Sequence, residues 1–175
     1  ITSCFQCIQY SMKISEPSNC NTDCLMRNNT LFRHLNEQEL DMINNVRTLN
    51  IYKRGTLIYQ EGNRISGFYC LSGGIIKVYK TGIDGKEQII RFAKKGDIIG
   101  FRSILSQEPA CTSAKVLEEA SVCHIPGEIL IHLVKSNGDF SMELMQITCK
   151  ELDEANAYIT DIAQKTVRER LAEII

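Results

Sequence analysis

The run GTLIYQEGNRISGFYCLSGGIIKVYKTGIDGKEQIIRFAKKGDIIG, residues 55–100, decides the fold of this chain. Short β-rich segments alternate in it with glycine-containing turns such as EGN, SGG and DGK. Glycine accepts positive φ angles and therefore closes tight turns between strands. Regular turns at this spacing predict an antiparallel β-roll or jelly roll, a mainly β fold. The last strand is predicted at residues 120–125, where Pro126 ends it.

A helix is predicted before this β-rich segment, over residues 31–47. Asn36 is a good N-cap, and Glu39 stands at the capping-box position three residues later. The apolar residues that recur there at helical spacing are Leu35, Leu40, Ile43 and Val46.

After the β-rich segment, residues 127–175 are predicted to be helical, and the pattern is continuous from Phe140 onward. A seam of residues steps along it by alternating fours and threes: Met145, Cys149, Leu152, Asn156, Ile159, Ala163 and Thr166. Such a heptad seam is typical of two helices packed along their length, so it predicts a homodimer. Asn156 within the seam fits a residue that sets the register. The alternative is a helix packed on its own β-domain.

Composition excludes several classes of protein. Lys and Arg number 20 against 21 Asp and Glu, so the net charge is −1, unlike the basic excess of a nucleic-acid-binding surface. No apolar run approaches the roughly 18 residues of a membrane span. Three regions are predicted: a Cys-rich arm at 1–30, a β-roll with flanking helices at 31–138, and a dimerisation helix at 139–175.

Four of the eight cysteines lie in the arm, in two close pairs: Cys4, Cys7, Cys20 and Cys24. Two such pairs suit a tetrahedral thiolate site for zinc, and equally an iron–sulfur cluster, which also takes four thiolates. The other interpretation is thiol redox chemistry, or no ligand at all. Clustered thiols in a chain with an ample apolar core indicate a reducing, cytoplasmic compartment. Cys70, Cys111 and Cys149 are interpreted as core or seam residues.

Five motifs occur in a fixed order: KRGTLIYQEGN at 53–63, LSGGIIKVY at 71–79, GDIIGF at 96–101, SVCHIP at 121–126 and VRERLA at 167–172. Together they resemble the FNR branch of the CRP/FNR family of bacterial transcription regulators, from about residue 32 to the end. The resemblance implies a roll of cyclic-nucleotide-binding type, a dimerisation helix and a C-terminal winged helix-turn-helix that this chain lacks. It also implies DNA and RNA polymerase as partners.

Cyclic-nucleotide binders of this family hold the ribose with a Gly-Glu pair and the cyclic phosphate with an Arg-Ser/Thr-Ala triplet. This chain has Gly100, Phe101, Arg102 and Ser103 at the first place. It has Thr112, Ser113 and Ala114 at the second. A phosphodiester needs a cationic donor, for which Arg is the usual choice. We therefore expect no cyclic AMP binding, with Phe101 filling the space and Arg102 a solvated loop residue.

In the FNR branch an N-terminal group of three cysteines joins one distant cysteine on the roll to hold an iron–sulfur cluster. Cys123, in SVCHIP, stands at the place of that distant ligand, although the arm's own spacing departs from the family pattern. A buried strand residue is the alternative for Cys123.

The function expected from the resemblance is that of the sensor and dimerisation part of a DNA-binding regulator, responding to redox state or oxygen. The alternative is a binding module with a structural zinc arm and an unidentified small-molecule effector in the roll. The three histidines are dispersed, and no Ser–His–acid set or carboxylate pair stands out, so no enzyme is predicted.

Overall fold

The computed structural model describes residues 29–164. A 3₁₀-helix, Thr30–His34, and helix α1, Glu37–Val46, come first. Six strands and a short helix follow: β1 Thr48–Tyr52, β2 Leu57–Tyr59, β3 Gly67–Thr81, β4 Glu87–Ala93, β5 Ile98–Ile99, α2 Phe101–Ser106 and β6 Ser113–Pro126. Two more helices complete the described chain, α3 Gly127–Ser136 and α4 Gly138–Gln164.

The strands form one antiparallel sheet built around the long pair β3 and β6. The strand order is β1-β6-β3-β4, with β2 also on β6 and β5 also on β3. Three register shifts interrupt the β3–β6 ladder between Leu71 and Ile76, and each adds local bend and twist. Long bent strands of this kind curl a sheet into a roll, which confirms the predicted fold class.

Gly74 shows why glycine is needed at the bend of β3. Its φ is +83°, and a Cβ there would lie 2.3 Å from the carbonyl oxygen of Glu119 on β6. Any other residue would both strain the backbone and force the two central strands apart.

Two apolar clusters make up the core. The first joins the helices to one part of the sheet and contains four fully buried phenylalanines: Phe32, Phe68, Phe101 and Phe140. The second fills the inside of the roll and includes Tyr59, Ile76, Val78, Val116 and Val122. The 3₁₀-helix, α3 and the start of α4 therefore belong to the same packed unit as the roll.

Three details of the predicted elements are corrected. The helix expected at 31–47 is two elements, because the chain is extended at Leu35 and Asn36 between the 3₁₀-helix and α1. The capping box of Asn36 and Glu39 is confirmed, with both reciprocal hydrogen bonds present. The last strand is β6 at 113–126, longer than predicted, and it includes Pro126 as its final residue, where a missing N–H is tolerated.

The third correction concerns the helical region. It is interrupted at Asn137, whose extended backbone (φ −124°, ψ 106°) separates α3 from α4. Helix α4 therefore starts at Gly138, two residues before Phe140. No helix among residues 29–164 is long and apolar enough to cross a membrane.

Candidate functional site: a cavity between the roll and the long helix

The turn that follows β5 carries the residues expected at the ribose-binding place. Gly100 has a φ of +82°, and a Cβ on it would lie 2.9 Å from Cδ1 of Ile65. The chain then enters α2, where Phe101 is 1% exposed and belongs to the first core cluster. The aromatic ring thus occupies buried space, as expected, and it supplies no acceptor for a ribose hydroxyl.

The residues at the phosphate-binding place supply no cation. Thr112 borders the cavity described below. Ser113 is 2% exposed, and its hydroxyl oxygen accepts a hydrogen bond from the backbone N–H of Glu61 at 2.9 Å. Ala114 is fully buried. The triplet thus holds the end of β2 against β6, and the buried hydroxyl of Ser113 is already hydrogen-bonded to the backbone of Glu61.

A cavity of about 370 Å³ lies between this part of the roll and the second half of α4. Its volume is within the range of small-molecule sites. Its apolar and aromatic wall is formed by Tyr59, Val78, Ile90, Ile99, Phe101, Tyr158 and Ile159. The polar residues on its border include Arg91, Arg102, Ser103, Thr112, Glu151 and Glu154.

One carboxylate and two guanidinium groups meet at the edge of this cavity. Nη2 of Arg91 on β4 lies 3.0 Å from Oε1 of Glu151 on α4, and Nη1 of Arg102 on α2 lies 4.0 Å from Oε2. Arg91 also donates to the carbonyl oxygen of Ile98 at 2.8 Å and lies 3.8 Å from Asp97. The pKa of Glu151 is raised because burial outweighs the opposite effect of the two arginines.

The predicted metal ligands fall in two places. Cys4, Cys7, Cys20 and Cys24 lie outside the described residues, so the metal site stays a prediction. Within residues 29–164, no group of three or more His, Cys, Asp or Glu side chains could hold a metal ion.

Cys123 on β6 is 1% exposed, and Cys70 faces it across the β3–β6 ladder. Nη1 of Arg47 donates to the sulfur of Cys123 at 3.7 Å. Cys123 also shares its core cluster with Leu31 and Phe32, the first apolar residues after the predicted arm. Burial raises the pKa of the Cys70 thiol well above its usual value.

The predicted dimer seam lies on an exposed face of α4. Met145, Leu152 and Ile159 have 54%, 59% and 63% of their surface exposed, which is unusual for large apolar side chains in one row. Cys149, Asn156 and Ala163 on the same row are also exposed, and Thr166 lies outside the described residues. The adjacent side of α4 carries Glu151, Ala155 and Tyr158, which line the cavity. Ile159 of the seam also lines the cavity, so the two surfaces meet at this residue.

A polar network joins the 3₁₀-helix to the start of α4. Nη2 of Arg33 lies 3.2 Å from Oε2 of Glu143, and Nε2 of His34 lies 3.6 Å from the same oxygen. The pKa of Glu143 is lowered, first by a hydrogen bond from the Thr30 side chain and then by Arg33 and His34. Three residues of the 3₁₀-helix, Thr30, Arg33 and His34, thus hold one carboxylate of α4.

Asn137 is the second link in this network. Its Nδ2 donates to the carbonyl oxygen of His34 at 3.1 Å and to the two carboxylate oxygens of Glu39 at 3.2 and 3.0 Å. Its Oδ1 accepts from the backbone N–H of Phe140 at 3.0 Å, which makes Asn137 the N-cap of α4.

Asn137 was not predicted from the sequence, although an Asn three residues before Phe140 is a recognisable N-cap signal. Glu143, Arg91 and Glu151 were not predicted either, because nothing in their spacing marks them.

Comparison with known proteins agrees with this geometry. The model of the family "Cyclic nucleotide-binding domain" matches residues 49–137. The "Anaerobic regulatory protein" of Pasteurella multocida is 31% identical over 143 residues, covering 81% of this chain and 52% of that protein. The "Fumarate and nitrate reduction regulatory protein" of Escherichia coli K12 is 31% identical over 142 residues, covering 81% and 56%. The chain thus spans about half the length of the curated relatives it matches.

Solved structures show the same fold. The sensor domain of the transcriptional regulator DNR from Pseudomonas aeruginosa superposes with a TM-score of 0.67 at 16% identity, covering 77% of this chain and 91% of that one. The Catabolite Activator Protein of Thermus thermophilus gives 0.65 at 20% identity, covering 76% and 62%. This chain belongs to the cyclic nucleotide-binding domain family. Within that family it is a member of the CRP/FNR group of regulators.

Proposed function

We propose that this chain is the sensor and dimerisation part of a DNA-binding transcription regulator that responds to redox state or oxygen through its N-terminal cysteines. Both curated relatives are named as regulatory proteins. One name refers to anaerobic regulation, and the other refers to fumarate and nitrate reduction. We also propose that the regulator binds DNA, contacts RNA polymerase and is located in the cytoplasm.

The observation that carries the proposal is the polar network between the 3₁₀-helix and the start of α4. The Cys-rich arm leads directly into the 3₁₀-helix, whose Thr30, Arg33 and His34 hold Glu143. Any change that orders or loosens the arm therefore acts on residues that contact the long helix. Coupling of this kind needs such contiguous contacts between an input element and an output element.

The output proposed for α4 is a change in how two copies pack. Its seam leaves three large apolar side chains exposed, and a second copy of the same helix would cover them. The arm's state would then shift the population between two arrangements of the helix pair, which sets the spacing of the DNA-reading helices.

For the ligand of the arm we propose an iron–sulfur cluster held by three of the four arm cysteines and Cys123. When bound, such a cluster supplies a redox-active group that needs four thiolates. Two observations support this role for Cys123. Its sulfur accepts a hydrogen bond from Arg47, and it lies in the same core cluster as Leu31 and Phe32, which directly follow the arm. Cys123 is 1% exposed, so on this proposal the arm would approach it from the side of the roll that carries the 3₁₀-helix.

The second candidate is a structural zinc site made by Cys4, Cys7, Cys20 and Cys24 alone, with a small-molecule effector bound in the roll. The 370 Å³ cavity beside α4 favours this alternative, because it provides a place for an effector. The two candidates differ in their use of Cys123, which only the cluster requires.

The experiment is purification without oxygen, followed by a visible spectrum and an iron and zinc count for the wild type, Cys7→Ser, Cys123→Ala and Cys70→Ala. Cys70 is the matched control, because it is buried to the same degree and lies opposite Cys123 in the sheet. We expect visible absorption and iron in the wild type and Cys70→Ala, and neither in the other two variants. Zinc retained by Cys123→Ala, with no iron in any sample, would overturn the cluster in favour of the zinc arm.

A further inference from the structure

Cys70 and Cys123 lie directly opposite each other on β3 and β6, the two central strands of the sheet. Opposite residues of an antiparallel pair point to the same face of the sheet, with Cα atoms about 4.5 or 5.5 Å apart. Both side chains pack in the first core cluster, with 3% and 1% of their surface exposed. The two thiols are therefore neighbours in the core, and neither is in a disulfide in the described structure.

The backbone holds the two cysteines in a fixed register. Cys70 is also paired with Ile98 of β5, and Cys123 is also paired with Leu49 of β1. Because the row crosses four strands, neither cysteine can slip along its strand without breaking pairs on both sides. A disulfide needs Cα atoms roughly 4.4–6.8 Å apart, a range that includes both spacings of an antiparallel pair. The two cysteines can therefore be bridged without a change in the strand order or register.

The two sulfurs differ in their surroundings. Nη1 of the half-buried Arg47 donates to the sulfur of Cys123 at 3.7 Å, so displacement of this flexible side chain gives a small uncharged oxidant a route to Cys123. Burial, and after it the neighbouring Cys123, raises the pKa of the Cys70 thiol, so Cys70 by itself reacts slowly with an oxidant. Towards an oxidised Cys123, however, its fixed position opposite that residue replaces intrinsic reactivity.

We propose that Cys70 and Cys123 form a reversible disulfide when the chain meets hydrogen peroxide, and that Cys70 thereby protects Cys123 from irreversible oxidation. Cys123 takes one oxygen atom from the peroxide to become a sulfenic acid, and one water leaves. The Cys70 sulfur then attacks the Cys123 sulfur, the S–S bond forms and a second water leaves. Two thiols thus lose two hydrogen atoms, and one peroxide is reduced to two waters. The inference goes beyond the proposed function, because it holds whether the arm binds a cluster or zinc.

The protection matters because the next oxidation step cannot be undone by thiols. A sulfenic acid without a neighbouring thiol is oxidised further to a sulfinic acid, which thiol reductants do not reverse. A disulfide is reversed by them, and the Cβ atoms of a cross-strand pair must close by roughly 1 Å to form it, which makes the bond easier to reduce. Reduction therefore returns Cys123 to its thiol form.

The test uses the whole chain, purified with a thiol reductant that is then removed, and treated with about a tenfold molar excess of hydrogen peroxide. Free thiols are blocked with iodoacetamide, and the chain is digested with trypsin without reduction. Cleavage after Lys and Arg gives residues 65–77 with Cys70 and residues 116–135 with Cys123, each with one cysteine. Mass spectrometry should find these two peptides joined, with two hydrogens less than their sum, and dithiothreitol should release both.

Two variants complete the experiment. Cys70→Ala should leave Cys123 without a neighbouring thiol, so its peptide should gain two oxygen atoms that dithiothreitol does not remove. Cys149→Ala, which removes an exposed cysteine of α4, is the matched control and should give the same joined peptides as the wild type. Separate peptides in the treated wild type, Cys123 joined to another cysteine, or recovery of Cys123 by dithiothreitol in Cys70→Ala to the wild-type extent would each overturn the proposal.

Discussion

Replacing Asn137 by Ala should destabilise the protein by about 3 kcal/mol, because one side chain makes three kinds of contact. Loss of the N-cap hydrogen bond to Phe140 costs about 1 kcal/mol in comparable helices. Loss of the donation to the Glu39 carboxylate costs about 1.5 kcal/mol, the lower end for a charged partner, because the site is only partly buried. Loss of the bond to the His34 carbonyl adds about 0.5 kcal/mol.

The assay is urea unfolding at equilibrium, with Asn137→Asp and Asn45→Ala measured beside Asn137→Ala. Aspartate keeps the capping oxygen but faces Glu39 with a like charge, so Asn137→Asp should lose the bridge while retaining the cap, at about 2 kcal/mol. The exposed Asn45 on α1 is the control, and its change should stay within about 0.5 kcal/mol of the wild type. A loss below about 1 kcal/mol for Asn137→Ala would refute the reasoning that this residue joins the 3₁₀-helix, α1 and α4.

Three further outcomes are expected. Cyclic AMP should show no binding by calorimetry at micromolar concentrations, because Phe101 and Thr112 replace the polar anchors, and a micromolar Kd would contradict this. Ile159→Glu should abolish dimerisation in sedimentation at low micromolar concentration, since like charges in a dry interface cost several kcal/mol, whereas Ala157→Glu beside the seam should not. A dimer that survives Ile159→Glu would mean that the seam is misassigned. Because the pKa of Glu143 is lowered, its stabilising contribution is present above the ordinary Glu value of about 4.3 and is lost as the pH falls through its folded pKa. The wild type should therefore exceed Glu143→Gln in unfolding free energy at pH 7, and a difference that persists undiminished at pH 3 would argue against the ion-pair network.

The class of fold could be predicted from the sequence because its signals are local. Glycine turns between short β-rich runs mark a roll, and the Asn36–Glu39 capping box depends on four neighbouring residues. The break at Asn137 could not be predicted because the residues before it and the residues after it both follow a helical pattern. The break is stabilised by hydrogen bonds from the Asn137 side chain to His34 and Glu39, which lie about 100 residues earlier in the sequence.

The site was predictable only in what it lacks. Substitutions at the two nucleotide-binding places can be read from motif positions, and the structure places Phe101 in the core and Ser113 in a structural hydrogen bond. The charged group at the cavity's edge could not be foreseen, because Arg91, Arg102 and Glu151 come from β4, α2 and α4. Sequence reasoning interpreted Arg102 as a solvated loop residue; it lies in helix α2, with its side chain 60% exposed and 4.0 Å from Glu151.

The proposal that the arm controls the helix pair is tested most directly by the dimer dissociation constant, measured by sedimentation on the chain purified without oxygen and again after exposure to air. We predict that air removes the visible absorption of the cluster and weakens the dimer at least about tenfold, a change of roughly 1.4 kcal/mol. Loss of the absorption with an unchanged dissociation constant would contradict it, because the arm would then have changed without reaching α4.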